Sequence, residues 1–389
     1  MSTTPSQYTP GLEGVIAAQT RLSSVNGHLG QLIINGFPIE QLAPHAAYEE
    51  VVYLLWHDTL PDPTQLATFS QTLAHYRPLP TATFPLLRAA AANNVPTMDA
   101  LRMAAGTLNL DNPPATDHAT ALLARIPTAI AAYWRLLHGQ EPIPPHPTLS
   151  HAANYLYMLT GEEPLPAQTR GLETYLNTVV DHGLNASTFT ARVIISTNSD
   201  LFSAIVGAIG ALKGDRHGGA PGPALDMVFA IGQPDKAEPY LRQQLANGQR
   251  LMGFGHRVYK VRDPRALLLA AAAEPVYQAG GDMDLYRLAQ TVEQTAVALL
   301  AEHKPGRNLQ TNVEFYTALL LHGLRLDTPL FTPTFALARA AGWIAHCREQ
   351  QATNRLIRPT STYIGDHNRA WTPLSTRAPL PTRAPLPTP

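Results

Sequence analysis

The chain has little that would tie it to a metal, a membrane or a polyanion. Its 389 residues include one cysteine, Cys347. No disulfide can form within it and no zinc site of cysteine type can be built. Cys347 falls late in a helical pattern and reads as a small core residue. No HExxH, CxxC or GxxxxGKS/T motif occurs, and "GFGH" at Gly253 lacks the third glycine of a dinucleotide fingerprint. An excess of one charge is also missing. The 28 basic residues meet 29 acidic ones, for a formal net charge of -1, which excludes the basic excess of a nucleic-acid binder. The N-terminus "MSTTPSQYTP" has no basic start followed by an apolar run, so no secretory signal is expected. Apolar runs such as "LFSAIVGAIGAL" from Leu201 fall short of the roughly 20 residues that span a bilayer. These lacks predict a soluble, cytoplasmic protein with no membrane or nucleic-acid partner, whose positive charge is local and suits a small anion.

What is present is apolar and periodic. Hydrophobic residues make up 45% of the chain, enough for a large core and more than one lobe. Residues 14 to 42 are expected to form a small β element, with Asn26-Gly27 as its turn. Helical periodicity dominates afterwards. "YEEVVYLLWHDTLP" predicts a helix ending before a proline. Leu172, Tyr175, Leu176 and Val179 keep the spacing of a buried helix face, and residues 199 to 212 and 285 to 302 read the same way. The fold class is therefore mainly α. Many of the 35 prolines fall between helices, as short connections require. "TRAPLP" occurs at Thr376 and again at Thr382. Residues 376–389 are expected to be a disordered, extended, proline-rich tail, with docking to an SH3-like partner as an alternative.

Three histidines stand in special settings. His182 lies in "DHGLNAST" at the end of a helical pattern. His217 lies in "LKGDRHGGAPG", between charged residues and glycines. His256 lies in "LMGFGHRVYKVRDPR", among Arg257, Lys260, Arg262 and Arg265. Taken singly, each reads as structural, as most of the 15 histidines must be.

Together they belong to a longer pattern. "EEVVYLLWHDTLP", "DHGLNASTFTARVIISTNSDLFSAIVGAIGALKGDRHGGAP", "MGFGHRVYKVRDPRA", "TNVEFYTALLLHGL", "LFTPTFALARAAGWIAHCREQ" and "RLIRPTSTYIG" follow one another from about residue 11 to 372. In order and spacing the chain resembles the citrate synthase family, most closely its shorter dimeric form (citrate or 2-methylcitrate synthase). The resemblance implies a two-domain multihelical fold with a small N-terminal β-hairpin. Residues 1–217 and 320–375 would form a large domain holding the dimer contact. Residues 218–319 would form a small coenzyme A-binding domain that closes over the substrates. The implied reaction joins acetyl-CoA to oxaloacetate through an enolate and hydrolyses the thioester to give citrate and CoA. No permanently bound cofactor and no metal is expected.

That reaction has a physical difficulty. A thioester methyl group is a very weak acid, so a base needs a hydrogen-bond donor on the developing enolate oxygen at the same moment. By resemblance His217 is that donor, helped by adjacent glycines that admit the substrate. His256 polarises the ketone of oxaloacetate, and the base is Glu314. Arg265, Arg339 and Arg358 hold the carboxylates, with Arg358 reaching across the interface of a homodimer. His182 joins the oxaloacetate shell, with Asn185 nearby. Gly253, Gly255, Val258 and Lys260 would line coenzyme A, while Arg257 and Arg262 read as phosphate contacts or as solvated charges.

The chain departs from the pattern in three places. The family base is normally an aspartate, and glutamate is one methylene longer, a displacement of about 1 Å that can cost on the order of a hundredfold in rate. "GRNLQTN" lacks the proline expected before Asn312. Thr360 stands where many relatives carry a second cation. Two alternatives stay open: a 2-methylcitrate synthase using propionyl-CoA or an enzyme taking both thioesters, since one methyl group supplies only about 1–3 kcal/mol of discrimination, and a non-catalytic homologue that binds oxaloacetate and CoA.

Overall fold

The structure is a computed structural model describing residues 8–111, 117–218, 221–256 and 258–377. The second copy of "TRAPLP", most of the first, Arg257 and Gly219 lie outside the described residues. The chain divides into two compact units, residues 18–357 and the two ends, 1–17 with 358–389.

The larger unit opens with an antiparallel sheet of β1 (Ser23–Asn26), β2 (Gln31–Ile34) and β3 (Phe37–Pro38), in that order. Ser23 lies opposite Ile34, and Asn26 opposite Gln31. Leu32 and Ile34 are fully buried while Gln31 and Ile33 are half-exposed, the alternation of a sheet with one covered face. Asn26 does initiate the first turn, its Oδ1 accepting from the His28 and Leu29 N–H groups at 3.1 and 3.0 Å. A second turn, Asn35-Gly36, has positive φ at both residues, 43° and 86°. That is the two-residue geometry a twisted hairpin favours, and Asn-Gly supplies it at least cost.

The helices are α1 (Ile39–Leu42), α2 (Tyr48–His57), α3 (Pro63–Tyr76), α4 (Thr83–Ala92), α5 (Thr97–Ala105), α6 (His118–Leu137), α7 (His151–Thr160), α8 (Pro166–Val179), α9 (Ala186–Ile195), α10 (Leu201–Leu212), α11 (Pro221–Ile231), α12 (Ala237–Ala246), α13 (Pro264–Gln278), α14 (Met283–His303), α15 (Val313–Gly323) and α16 (Phe331–Ala352). The mainly α expectation therefore holds, and the helices expected at 199–212 and 285–302 are α10 and α14. Asn185, Asp200, Asp263, Asp282 and Asn312 each accept a first-turn N–H at a helix start, contributing about 1 kcal/mol apiece. The end of α2 differs in its cause. Asp58, in the left-handed conformation at φ 59°, stops the helix before Pro61 is reached.

Helix α16 is buried over most of its length because it is enclosed by α2, α6, α8, α9 and α10, with Leu337, Trp343 and Ile344 fully buried. Gly342 permits the approach to the end of α8: a Cβ there would lie 2.3 Å from the Val180 carbonyl oxygen. That contact sets α16 beside residues 179 to 183, where the site begins. The expected α8 face is buried as predicted, Leu172, Tyr175, Leu176 and Val179 all being enclosed. Among the described residues no helix is long and apolar enough to cross a membrane.

Candidate active site

Two segments laced together carry His256 and Glu314. The turn at Gly253 and Gly255 (φ 87° and 82°) pairs with the strand-like stretch before α15. Gly255 donates to the Gln310 carbonyl at 2.7 Å, and Asn312 donates from its backbone to Gly253 at 3.0 Å and from its side chain to Gly255 at 2.8 Å. Both glycines are needed: positive φ favours them, and a Cβ on Gly253 would lie 2.9 Å from the Phe315 side chain. Asn312 then caps α15 by accepting from the Glu314 N–H at 2.9 Å.

The proton positions on the histidines follow from their partners. His256 Nδ1 accepts from the Val258 and Tyr259 N–H groups, both at 3.0 Å. Its proton therefore sits on Nε2, which no described residue engages. His217 Nε2 accepts from the Ser187 N–H at 3.3 Å and lies 2.8 Å from the Ser187 hydroxyl, which also accepts from the Trp343 indole at 3.1 Å. Nδ1 of His217 is then the protonated nitrogen, within reach of its own backbone carbonyl. His182 lies 3.1 Å from the Tyr259 hydroxyl through Nε2, and its ring centroid is 6.2 Å from that of His256.

Electrostatics keep all three rings neutral. Burial, then the Arg339 cation, lowers His217 to about 4. Burial, then Arg265 and Lys260, lowers His256 to about 4, against a smaller opposing pull from Asp263. Burial, Arg265 and Arg339 hold His182 well below its usual value. A neutral imidazole offers one N–H and loses no proton at pH 7, so His217 and His256 each present a hydrogen-bond donor. Burial pushes the Glu314 carboxyl up to about 7, with Arg265 pulling it down and Asp263 pushing it up. A base with that affinity is matched to neutral pH.

The buried arginines are arranged for anions. Asp263 takes the side edge of Arg265, Oδ1 to Nε at 3.0 Å and Oδ2 to one terminal nitrogen at 2.8 Å. The end edge of the guanidinium is left for a second carboxylate. Arg339, 2% exposed, donates from Nε to the Val179 carbonyl at 2.6 Å, and no described residue accepts from its terminal nitrogens. Arg358 is exposed and belongs to the other unit.

A family model described as "Citrate synthase, C-terminal domain" matches residues 11–360. The chain belongs to the citrate synthase family. A citrate synthase of Haloferax volcanii is 41% identical over 379 residues, covering 94% of this chain and 98% of its own. A 2-methylcitrate synthase of Mycobacterium tuberculosis is 37% identical over 92% of this chain and 91% of its own. The crystal structure of citrate synthase from Pyrobaculum aerophilum superposes with a TM-score of 0.86 at 36% identity, covering 95% of this chain and 97% of its own. A citrate synthase from Thermoplasma acidophilum, solved as a ternary complex with carboxymethyl coenzyme A and oxaloacetate, gives a TM-score of 0.83 at 28% identity over 95% of this chain and 100% of its own. The protein is thus an enzyme that condenses acetyl-CoA with oxaloacetate.

Of the residues expected in a citrate synthase site, His182, His217, His256, Glu314, Arg265 and Arg339 share one electrostatic neighbourhood. Val258, 41% exposed, and Lys260 lie on the surface flank of the His256 turn. Two expectations change in their reasons. Gly218 is required by packing, since a Cβ there would meet the Leu212 carbonyl oxygen at 2.4 Å. Arg262 is partnered, its guanidinium pairing with Glu293 at 2.6 Å. Sequence reasoning passed over Tyr259, between the two oxaloacetate-side histidines, and Ser187, which fixes the His217 tautomer. It also passed over a cationic cleft beside His256 of about 430 Å³, lined by Arg250, Phe254, Lys304 and Arg307 among others. The "HKPGR" run from His303 was the available signal for that cleft. Among the described residues no group of three or more His, Cys, Asp or Glu side chains is placed to hold a metal ion.

Proposed function

We propose that Glu314 is the base of this citrate synthase and that His217 and His256 are its two neutral hydrogen-bond donors. Glu314 takes a proton from the acetyl methyl group as Nδ1–H of His217 bonds to the thioester oxygen. The enolate carbon attacks the ketone of oxaloacetate, whose oxygen accepts from Nε2–H of His256. Arg265 and Arg339 hold the oxaloacetate carboxylates beside His182. One observation carries this reading: two imidazoles whose tautomers are set by backbone N–H groups lie with a carboxylate held near neutrality by burial.

Coenzyme A is proposed to lie along Gly253, Gly255 and Val258, its phosphates meeting Lys260 and the Arg250, Lys304 and Arg307 cations. The cleft of about 430 Å³ with that lining supports the placement. Residues 218–319 are proposed to move as a small closing domain over 1–217 and 320–375, water being excluded on closure. The protein is proposed to work in the cytoplasm as a homodimer, with Arg358 supplied by the partner subunit. Sedimentation of wild type and Arg358→Ala, with activity measured alongside, tests this; a fully active monomer would refute it.

Release of free coenzyme A thiol from acetyl-CoA and oxaloacetate tests the assignment of the base. Glu314→Gln should lower kcat by about 10²–10⁴ while oxaloacetate still binds. Glu314→Asp should cost roughly tenfold to a hundredfold, because the backbone is set for the longer side chain. Turnover by the Gln variant at the wild-type rate would remove Glu314 from the mechanism. Propionyl-CoA is run in parallel, prompted by the 37% identity to a 2-methylcitrate synthase; a higher kcat/KM with it would favour 2-methylcitrate as the product. Oxaloacetate binding without thiol release from either thioester would favour the non-catalytic homologue.

A further inference from the structure

Glu293 lies on α14, outside every segment so far assigned a part in the reaction. Its carboxylate is 13% exposed and gathers three donors from three different places. Oε1 accepts from the Arg262 guanidinium at 2.6 Å and from the Thr311 hydroxyl at 2.7 Å. Oε2 accepts from the Tyr316 hydroxyl. Arg262 immediately precedes Asp263, which orients Arg265. Thr311 pairs with Phe254 across from the His256 turn and accepts the Asp263 N–H at 3.4 Å. Tyr316 stands on the first turn of α15, two residues past Glu314. Burial and the neighbouring carboxylate keep Tyr316 a phenol and hence a donor.

We infer that Glu293 is a positioning residue that sets the separation between the carboxylate of Glu314 and the imidazole of His256. The inference rests on the reading of Glu314 as the base. The two reacting groups sit on opposite arms of the 253–256 and 310–312 pairing, and each arm ends in an element held by Glu293. A single carboxylate can satisfy three donors in one geometry, so the three segments share one register. Glutamine at position 293 retains the shape but replaces one acceptor oxygen by a donor NH₂. It can serve Arg262 and Thr311 through its oxygen only by turning its NH₂ to Tyr316, whose hydroxyl must then accept instead of donate, and it brings no negative charge to Arg262. This chain has a particular need for such a fixture, because its base carries one methylene more than the family's usual aspartate and a displacement of about 1 Å matters.

The test compares wild type, Glu293→Gln, Tyr316→Phe, the double variant and Glu314→Gln as full-length protein. Steady-state kinetics are measured from pH 5.5 to 8.5, with oxaloacetate binding by calorimetry. The expected result for Glu293→Gln is a tenfold or greater fall in kcat, with KM for both substrates and oxaloacetate affinity within about threefold of wild type. The acid limb of its kcat profile should be displaced. Tyr316→Phe should show a smaller part of the same pattern, and the double variant should fall no further than Glu293→Gln. A Glu293→Gln enzyme with unchanged kcat, or one whose loss appears only in melting temperature or equally in KM, overturns the inference. Should Glu293→Gln fail to fold, Tyr316→Phe carries the same kcat-against-KM criterion alone. The reading of the base fails separately, by turnover in Glu314→Gln.

Discussion

Two buried clusters of histidine, arginine and carboxylate lie in the 18–357 unit, and their acid–base properties are alike. In the site, burial raises Glu314 to about 7 and lowers His217 and His256 to about 4. Around α2, α7 and α8, burial raises Glu173 to about 7, raises Glu49 and lowers His151 to about 3. Arg77 and Arg170 stand in for Arg339 and Arg265. Arg77 donates to the carbonyls of His146 and Leu149 at 2.6 and 2.8 Å, and Arg170 pairs with Glu173 at 3.3 Å. The difference is in what remains uncommitted and where. His151 is 0% exposed, and neither of its ring nitrogens has a partner among the described residues. Its neighbour Glu49 accepts the His151 backbone N–H at 2.7 Å instead. The site histidines are half-exposed, each with one nitrogen held by a defined partner of another residue, and for His217 and His256 the second nitrogen bonds to no other described residue. In both clusters burial leads the histidine shifts and a neighbouring arginine adds to them; a fixed tautomer with an accessible N–H produces a donor.

Matched histidine replacements separate the two clusters most widely. His217→Ala should lower kcat by about 10²–10³, the loss typical of one preorganised donor. His151→Phe should leave kcat within about twofold. An equal loss of turnover in both would mean that the second cluster takes part in catalysis.

The two glutamates near pH 7 sharpen it further. Glu314 works deprotonated, so kcat should rise about tenfold per pH unit below about 7 and level off above it. No histidine limb should intervene down to about pH 5, since both donors are already neutral there. Glu173 acts on stability. Its folded value of about 7 exceeds the ordinary 4.5, so the contribution is fully present below about pH 4.5 and is lost as pH rises through about 7, on the order of 2–3 kcal/mol. Glu173→Gln should flatten that part of the stability–pH curve in urea titrations and leave the kcat profile unchanged.

The smallest effect expected is that of Tyr48→Phe. The Tyr48 hydroxyl donates to the Ala338 carbonyl at 3.0 Å, and its ring lies 5.2 Å from that of His151. Losing the hydroxyl should cost about 1 kcal/mol of stability with no change in KM, read by denaturant melts and by oxaloacetate titration.

Much of the helical framework was legible because it depends on local rules. The Leu172 to Val179 spacing and the boundaries near 200 and 283 each follow from periodicity and an Asx cap. The Asn35-Gly36 turn was equally local but was obscured inside the apolar run "QLIINGFPIE". His182, His217, His256, Arg265, Arg339 and Glu314 were found through the segment pattern, since nothing about a lone histidine separates His217 from His151. The supporting residues were not legible for a physical reason. Ser187, Tyr259, Asp263 and Glu293 are ordinary polar side chains whose meaning comes from what folding places beside them. Asp263 is the partial exception, as "DPR" already announces a helix cap. Helix α2 ends before Pro61 as expected, but its stop at Asp58 was not legible, because a left-handed aspartate leaves no composition signal.

The N-terminal hairpin touches parts of the chain made much later. Ser23 donates to the Asp181 carboxylate, 158 residues away, and accepts from the Gly183 N–H at 3.0 Å. Gly27 accepts from the Lys260 N–H at 2.8 Å, and a Cβ on it would collide with the Val258 carbonyl oxygen. During synthesis the hairpin is made before either of these partners and waits for them. Contacts of such sequence separation form slowly, and until they form an unpaired strand edge is open to other nascent chains. A chain released before residue 181 therefore lacks both of these later partners of the hairpin and keeps only the neighbouring α1 against its strands.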